Sequence, residues 1–273
     1  WFLHQFQGAN AVYNMPLSLR LHGEVNEAAL VRSLEELHRR HETLRTRFDA
    51  RDESVVQVID PPGLDLEVEA VSAVEAQAIA QAERFYCFDL SSEPLCRIRL
   101  LCEVDNESAD YVLLVTMHHS VSDGWSLGIL FHELVSLYRA YANGEGSPLA
   151  PLPIQYADYA QWQRRLLQGE VLEQQLSYWR EQLKELTPLL TLPTDRPRPA
   201  EQTFRGSMER FALPAILAEK LQSLSREQGV TLYMTLLSVF AMLLGRYSGQ
   251  QDVAVGTPIA NRTRRETEGL IGF

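Results

Sequence analysis

Apolar and polar positions alternate through Leu17-Ser18-Leu19-Arg20-Leu21, the period of a half-buried strand, and predict one over residues 16–25. The period then lengthens. Leu30, Leu34 and Leu37 recur at helical spacing behind Asn26, a residue suited to cap a helix start, and the run closes on Arg39, Arg40 and His41, cations suited to a helix C-terminus. Residues 43–49 and 55–59 read as a hairpin around Arg51-Asp52-Glu53, 64–71 as a further strand and the Ala-rich 73–84 as a helix. Segments 97–104 and 111–117 pair across the polar turn 105–108, and an amphipathic helix over 127–141 is closed by Asn143-Gly144. Helices over 154–167 and 171–186 follow, with Gly169 between them.

Pro193, Pro197 and Pro199 then fall within seven residues, a density that neither a helix interior nor a central strand accepts. This stretch predicts an extended connector between two lobes. Beyond it the pattern predicts a strand (207–211), helices over 214–228 and 231–247, and a strand (252–256). Strands and helices mix in both halves, so the expected fold class is α/β, in the form of a sandwich. No short-period repeat or low-complexity tract interrupts the pattern.

With 273 residues, 45% of them hydrophobic, the chain can bury a sizeable core. Its formal net charge of −11, with acids spread along the length, argues against a nucleic-acid partner, which needs a basic face. The apolar runs are too short for a bilayer and no signal peptide is visible, so no membrane partner is expected. Cys87, Cys96 and Cys102 are an odd number without metal-ligand spacing; they read as buried thiols in a reducing, cytoplasmic compartment. The chain opens on Trp1 and stops at Phe273 straight after an apolar run, which reads as a piece cut from a longer polypeptide.

The chemistry concentrates in Met117-His118-His119-Ser120-Val121-Ser122-Asp123-Gly124-Trp125-Ser126, between the apolar run 111–116 and the helix. Neighbouring strand residues point to opposite faces, so one histidine can meet a cavity while the other packs. Histidine is the side chain whose ordinary pKa lies nearest operating pH. A histidine at a strand end is more often a satisfied core residue, and Asp-Gly suits a tight turn whatever the function; the combination is what favours a catalytic base. Gly124-Trp125-Ser126-Leu127-Gly128 also satisfies G-x-S-x-G, the serine nucleophile elbow. That elbow needs its serine at a turn straight off a strand and a later histidine, and only His132 follows, on the same helix. Adjacent strand histidines chelate one ion poorly and H-E-x-x-H is absent, so no metal is expected. His38 and His41 read as a solvated helix cap, and Arg262, Arg264 and Arg265 as a solvated basic loop.

Here the chain resembles the condensation domains of non-ribosomal peptide synthetases. His118-His119-Ser120-Val121-Ser122-Asp123-Gly124 fits the HHxxxDG core, Arg40-His41-Glu42-Thr43-Leu44-Arg45-Thr46-Arg47-Phe48 fits RHExLRTxF, and Tyr156-Ala157-Asp158-Tyr159-Ala160-Gln161-Trp162 fits YxDYAxW. Trp1-Phe2-Leu3 resembles the tail of the first family motif and Ile271-Gly272-Phe273 the start of the fifth, all in family order.

The resemblance implies a chloramphenicol-acetyltransferase-like, two-lobed α/β architecture with a tunnel between the lobes and the second lobe incomplete: residues 1–168 as the N-terminal lobe, 169–205 as a helical and Pro-rich crossover, 206–273 as the start of the C-terminal lobe. It implies an acyltransferase in which the amine of one carrier-bound aminoacyl thioester attacks another. His119 and Gly124 would then be catalytic; His118, Asp123 and Trp162 would support the site, with Tyr156 structural and Arg45 or Arg262 pairing Asp123. No cofactor is bound directly. Phosphopantetheine arms come with upstream and downstream peptidyl carrier domains, and an adenylation domain shares the polypeptide. Heterocyclising relatives carry an Asp-based motif, and epimerising ones typically lack the RHExLRT segment. Ester-forming acyltransferases share the core and are the runner-up reading, followed by a serine hydrolase using Ser126 and a non-catalytic docking platform for carrier domains.

Overall fold

Seven consecutive buried residues, Val112 to His118, form the middle of the first of two units. The computed structural model describes residues 1–7, 10–51, 54–64, 66–105, 110–200, 202–204 and 206–273. Its first unit comprises Trp1–Leu167 together with Ala260–Phe273, and its second Gln168–Ile259. Residues 260–273, expected with the second lobe, therefore pack in the first unit.

In chain order the first unit contains α1 (Phe2–Gln7), β1 (Asn14–Leu21), α2 (Glu27–Arg40), β2 (Thr46–Arg51), β3 (Ser54–Ile59), β4 (Val68–Val71), α3 (Ala73–Glu83), β5 (Cys96–Glu103), β6 (Asp110–His118), α4 (Gly124–Ala142) and α5 (Tyr156–Leu166). The main sheet has the order β1-β6-β5-β4, with β6 antiparallel to both neighbours and β4 parallel to β5. β2 and β3 form a separate hairpin whose tip, Asp52-Glu53, lies outside the described residues, as does most of the turn expected at 105–108.

A strand buried on both faces reads as a continuous apolar run rather than an alternation, and β6 shows why. Leu113, Val115 and Met117 pack with Leu30, Leu34 and Leu37 of α2 and Leu130, Leu134 and Leu137 of α4. Val112 and Leu114, one residue out of phase, pack with Ala76 of α3 on the opposite side. The helices start where short polar side chains take up free backbone donors. Asn26 Oδ1 accepts from Ala29 N–H at 3.0 Å, and Ser72 and Glu75 cap α3 reciprocally.

The histidines read as a solvated cap at the end of α2 are buried: His38 is 5% exposed and His41 1%. Arg40 and His41 turn back onto α4, whereas Arg39 stays exposed and pairs with Glu36 of α2. Arg40 Nε donates to both carboxylate oxygens of Glu133 at 3.1 Å, and His41 Nε2 donates to Oε2 at 2.7 Å. Burial alone would raise the Glu133 pKa; the His41 hydrogen bond and the Arg40 guanidinium outweigh it and hold the carboxyl below its ordinary value. Of the three thiols read as buried, Cys96 is, and burial pushes its pKa up to about 12, whereas Cys87 is exposed because it lies in the irregular segment after α3.

The second unit contains α6 (Gly169–Gln182), α7 (Ala215–Glu227) and α8 (Leu232–Ser248). Thr231 caps α8 through Met234 N–H at 3.2 Å, and Gly249, at φ 71°, ends it in the left-handed conformation that glycine takes without strain. The strands expected at 207–211 and 252–256 are irregular chain. A strand needs a neighbour to complete its ladder, and no described element of this unit is a strand. Among the described residues no single helix is long and apolar enough to cross a membrane.

Removing one partner from a buried ion pair leaves the others unmatched. Glu133→Ala should therefore lower the unfolding free energy by about 3 kcal/mol in a urea titration; a loss below about 1 kcal/mol, the scale of exposed pairs, would show that this cluster does not hold α4 to α2.

Candidate active site

The end of β6 and the start of α4 build the site together. His118 is the last residue of the strand. The chain then turns, with His119 N–H donating to Tyr13 O at 2.8 Å and Val121 N–H to His118 O at 3.0 Å. Asp123 ends the turn as the N-cap of α4.

His118 is 3% exposed, and its ring lies among those of His4, Tyr13 and Phe88, with centroids at 5.9, 5.9 and 6.3 Å. Its Nδ1 accepts from Ser120 N–H at 3.2 Å and has Ser120 Oγ at 2.8 Å. An acceptor Nδ1 places the proton on Nε2. Burial, with the His4 imidazole as a smaller contributor, pushes the His118 pKa down to about 4, so the ring is neutral near pH 7.

His119 is half-buried and borders a cavity of about 510 Å³. The cavity wall also takes Trp1, Leu3, His4, Tyr13, Phe48, Gln57, Tyr156, Ala160 and Phe273, and His118 and Ser120 reach it too. Phe273 meets the His119 ring edge-on at 5.4 Å. This wall is largely aromatic, so it desolvates whatever enters while leaving an imidazole to handle a proton.

Asp123 and the returning segment 260–273 hold this loop. Asp123 Oδ1 accepts from Ser126 N–H at 2.7 Å and Ser126 Oγ at 2.6 Å. Its Oδ2 faces Arg262 Nη2 at 3.5 Å, which decides between the two candidate arginines. Arg45 points elsewhere, donating to Asp60 O and lying 3.7 Å from Glu42. Arg262 Nη2 also donates to Gly272 O at 3.0 Å, and Trp125 Nε1 to Glu268 O at 3.0 Å. The run read as a solvated basic loop is thus partly a structural clasp: the Arg262 side chain is 4% exposed, and the Arg264 guanidinium lies 4.5 Å above the Trp162 ring. Tyr156, Tyr159 and Trp162 share one face of α5; Tyr156 reaches the cavity, whereas Trp162 stays under Arg264 and does not line it.

Gly124 opens α4 and is exposed; a Cβ there would meet nothing within 4 Å, and it is not among the residues that line the cavity. Ser126 falls in the first helical turn, fully buried, with its oxygen engaged by Asp123 and Gly272. That geometry does not make a nucleophile. Among the described residues no group of three or more His, Cys, Asp or Glu could hold a metal ion. Sequence reasoning did not single out His4, Tyr13, Phe48, Gln57 or Ala160 as cavity residues. They arrive from α1, the α1–β1 loop, the hairpin and α5, and only the neighbouring motifs hinted at any of them.

The family profile described as Condensation domain matches residues 1–273, and the chain belongs to that family. It is 49% identical to a linear gramicidin synthase polypeptide of Brevibacillus parabrevis over 100% of its own length and 4% of that protein's, and 47% identical to malpinin synthetase of Mortierella alpina over 100% and 4%. The chain thus spans a small part of the curated relatives it matches. Among solved structures, the X-domain from teicoplanin biosynthesis superposes with a TM-score of 0.85 at 28% identity, over 100% of this chain and 61% of that one. The first condensation domain of the CDA synthetase shares the fold, with a TM-score of 0.77 at 21% identity, over 100% and 65%. The α/β expectation, in its chloramphenicol-acetyltransferase-like form, agrees with these neighbours.

An unfolded imidazole takes its proton near pH 6.5, whereas folded His118 resists until about pH 4. The stability it contributes is full above pH 6.5 and is lost as pH falls toward 4. His118→Gln should flatten the slope of unfolding free energy over that window in equilibrium denaturation; a slope parallel to that of the parent chain would refute a neutral, buried His118.

Proposed function

We propose that this chain forms an amide bond between two acyl groups carried as thioesters on the phosphopantetheine arms of carrier domains. The amine nitrogen of the acceptor attacks the donor carbonyl, the C–S bond breaks, and the donor arm leaves as a thiol. The His119 imidazole lies where the amine proton must go, accepting it or orienting the amine, and passing a proton to the departing sulfur balances the step. The observation that carries this reading is the contrast between the two histidines on the aromatic cavity: His118 is 3% exposed, neutral and hydrogen-bonded through Nδ1, and His119 is half-buried.

A thioester is already activated, so bringing two tethered reactants together in line supplies much of the acceleration. Asp123 and Arg262 keep the turn in place without touching substrate. The chain's relatives include parts of multidomain synthetases, which supports carrier and adenylation domains as its partners. Three free thiols suit a cytoplasmic setting.

With carrier domains loaded as donor and acceptor, His119→Ala should lower dipeptidyl-thioester formation by at least about 10²-fold while the melting temperature stays close to that of the parent. His118→Ala should instead reduce soluble yield. Turnover by His119→Ala near the parental rate would overturn the role given to this residue. Product formed from an alcohol acceptor but not from an amine would replace amide by ester synthesis.

A further inference from the structure

A histidine that handles a proton is commonly oriented by a hydrogen bond to its other ring nitrogen. His119 has none: its Nδ1 is enclosed and meets no partner among the described residues. The ring contact it does have is Phe273, edge-on at 5.4 Å and 76°. The Phe273 ring has no other aromatic contact among the described residues.

Its backbone is fixed. Tyr156 Oη donates to Phe273 O at 2.7 Å. Gly272 is bonded on both sides: its N–H donates to Ser126 Oγ at 3.1 Å, and its carbonyl has Ser126 Oγ at 2.8 Å and Arg262 Nη2 at 3.0 Å. The single Ser126 hydroxyl proton can serve either Asp123 Oδ1, at 2.6 Å, or Gly272 O; in the first case Arg262 still serves the carbonyl. Among the described residues only Ser126 Oγ accepts the Gly272 N–H, and Ser126 is fully buried, so no water replaces it. Gly272 cannot shift freely either, because a Cβ there would lie 2.2 Å from the Tyr156 ring, which marks how closely the backbone rides on it.

We propose that Ser126 is a positioning residue for His119, acting through the Gly272–Phe273 backbone to set the aromatic wall against which the imidazole is oriented. The inference rests on His119 as the proton-handling group. A plain capping residue for α4 would share the Asp123 contacts but would not influence the His119 ring.

The test uses the chain labelled with 15N-histidine and compares Ser126→Ala, Phe273→Ala and the double variant by NMR. Both single variants should move the His119 ring resonances and leave those of His38, on α2, in place. The double variant should move them no further than Phe273→Ala alone, since Ser126 acts through Phe273. In carrier-loaded turnover assays Ser126→Ala should lower kcat on the order of 10-fold with KM unchanged, again without additivity in the double variant.

A lower melting temperature for Ser126→Ala with unmoved His119 resonances would overturn the proposal, as would additive effects in the double variant. Because Phe273 is exposed, Phe273→Ala remains informative even where Ser126→Ala fails to fold: unmoved His119 resonances in that variant also overturn it. Absence of turnover in the parent would count against amide synthesis, while the NMR comparison would still decide the positioning.

Discussion

The carboxylate of Asp123 joins the start of α4 to a segment that lies far on in sequence. One oxygen accepts the free backbone donor of Ser126 at the start of α4, where the helix dipole favours negative charge. The other faces Arg262, brought back after the whole second unit has intervened. The same two parts are also joined by Trp125 Nε1 donating to Glu268 O and Gly272 N–H donating to Ser126 Oγ. His119 lies between them, with its backbone on Tyr13 and its ring on Phe273.

Among the described residues, the cavity beside His119 is free of side-chain carboxylates and cations although the protein is acidic overall, with a net charge of −11. Charges are paired elsewhere, Asp123 with Arg262 and Glu133 with Arg40, the latter carboxylate also hydrogen-bonded by His41. What remains at the cavity is mostly aromatic rings, with the neutral imidazole of His118 among them.

Much of this was legible in the residues. The helical period of Leu30, Leu34 and Leu37, the Asn26 cap and the continuous apolar run before His118 each specify local structure without help from elsewhere, and α2 and β6 follow them. The His-His-Asp-Gly order located the turn for the same reason. Features decided by distant packing were not legible. His41 looked like a solvated cap because its partner, Glu133, lies 92 residues on. Arg262 could not be told from Arg45 as the mate of Asp123, since only the returning backbone separates them. The expected strands of the second unit had no neighbouring ladder to join, and α1 carried too short a pattern to announce itself.

That same return has a bearing on how the protein is made. Ile271 belongs to the hydrophobic core formed by α2, α4 and the main sheet, and its carbonyl accepts from Thr43 Oγ1 at 2.9 Å, a contact spanning 228 residues. The first unit therefore cannot close its core when its own main stretch leaves the ribosome at Leu167; it must wait for the roughly one hundred residues that follow, about 5–20 s at ordinary elongation rates. During that interval the apolar seat of Ile271 stands uncovered, which makes the nascent chain, rather than the finished domain, the form most exposed to misassociation and most in need of a chaperone.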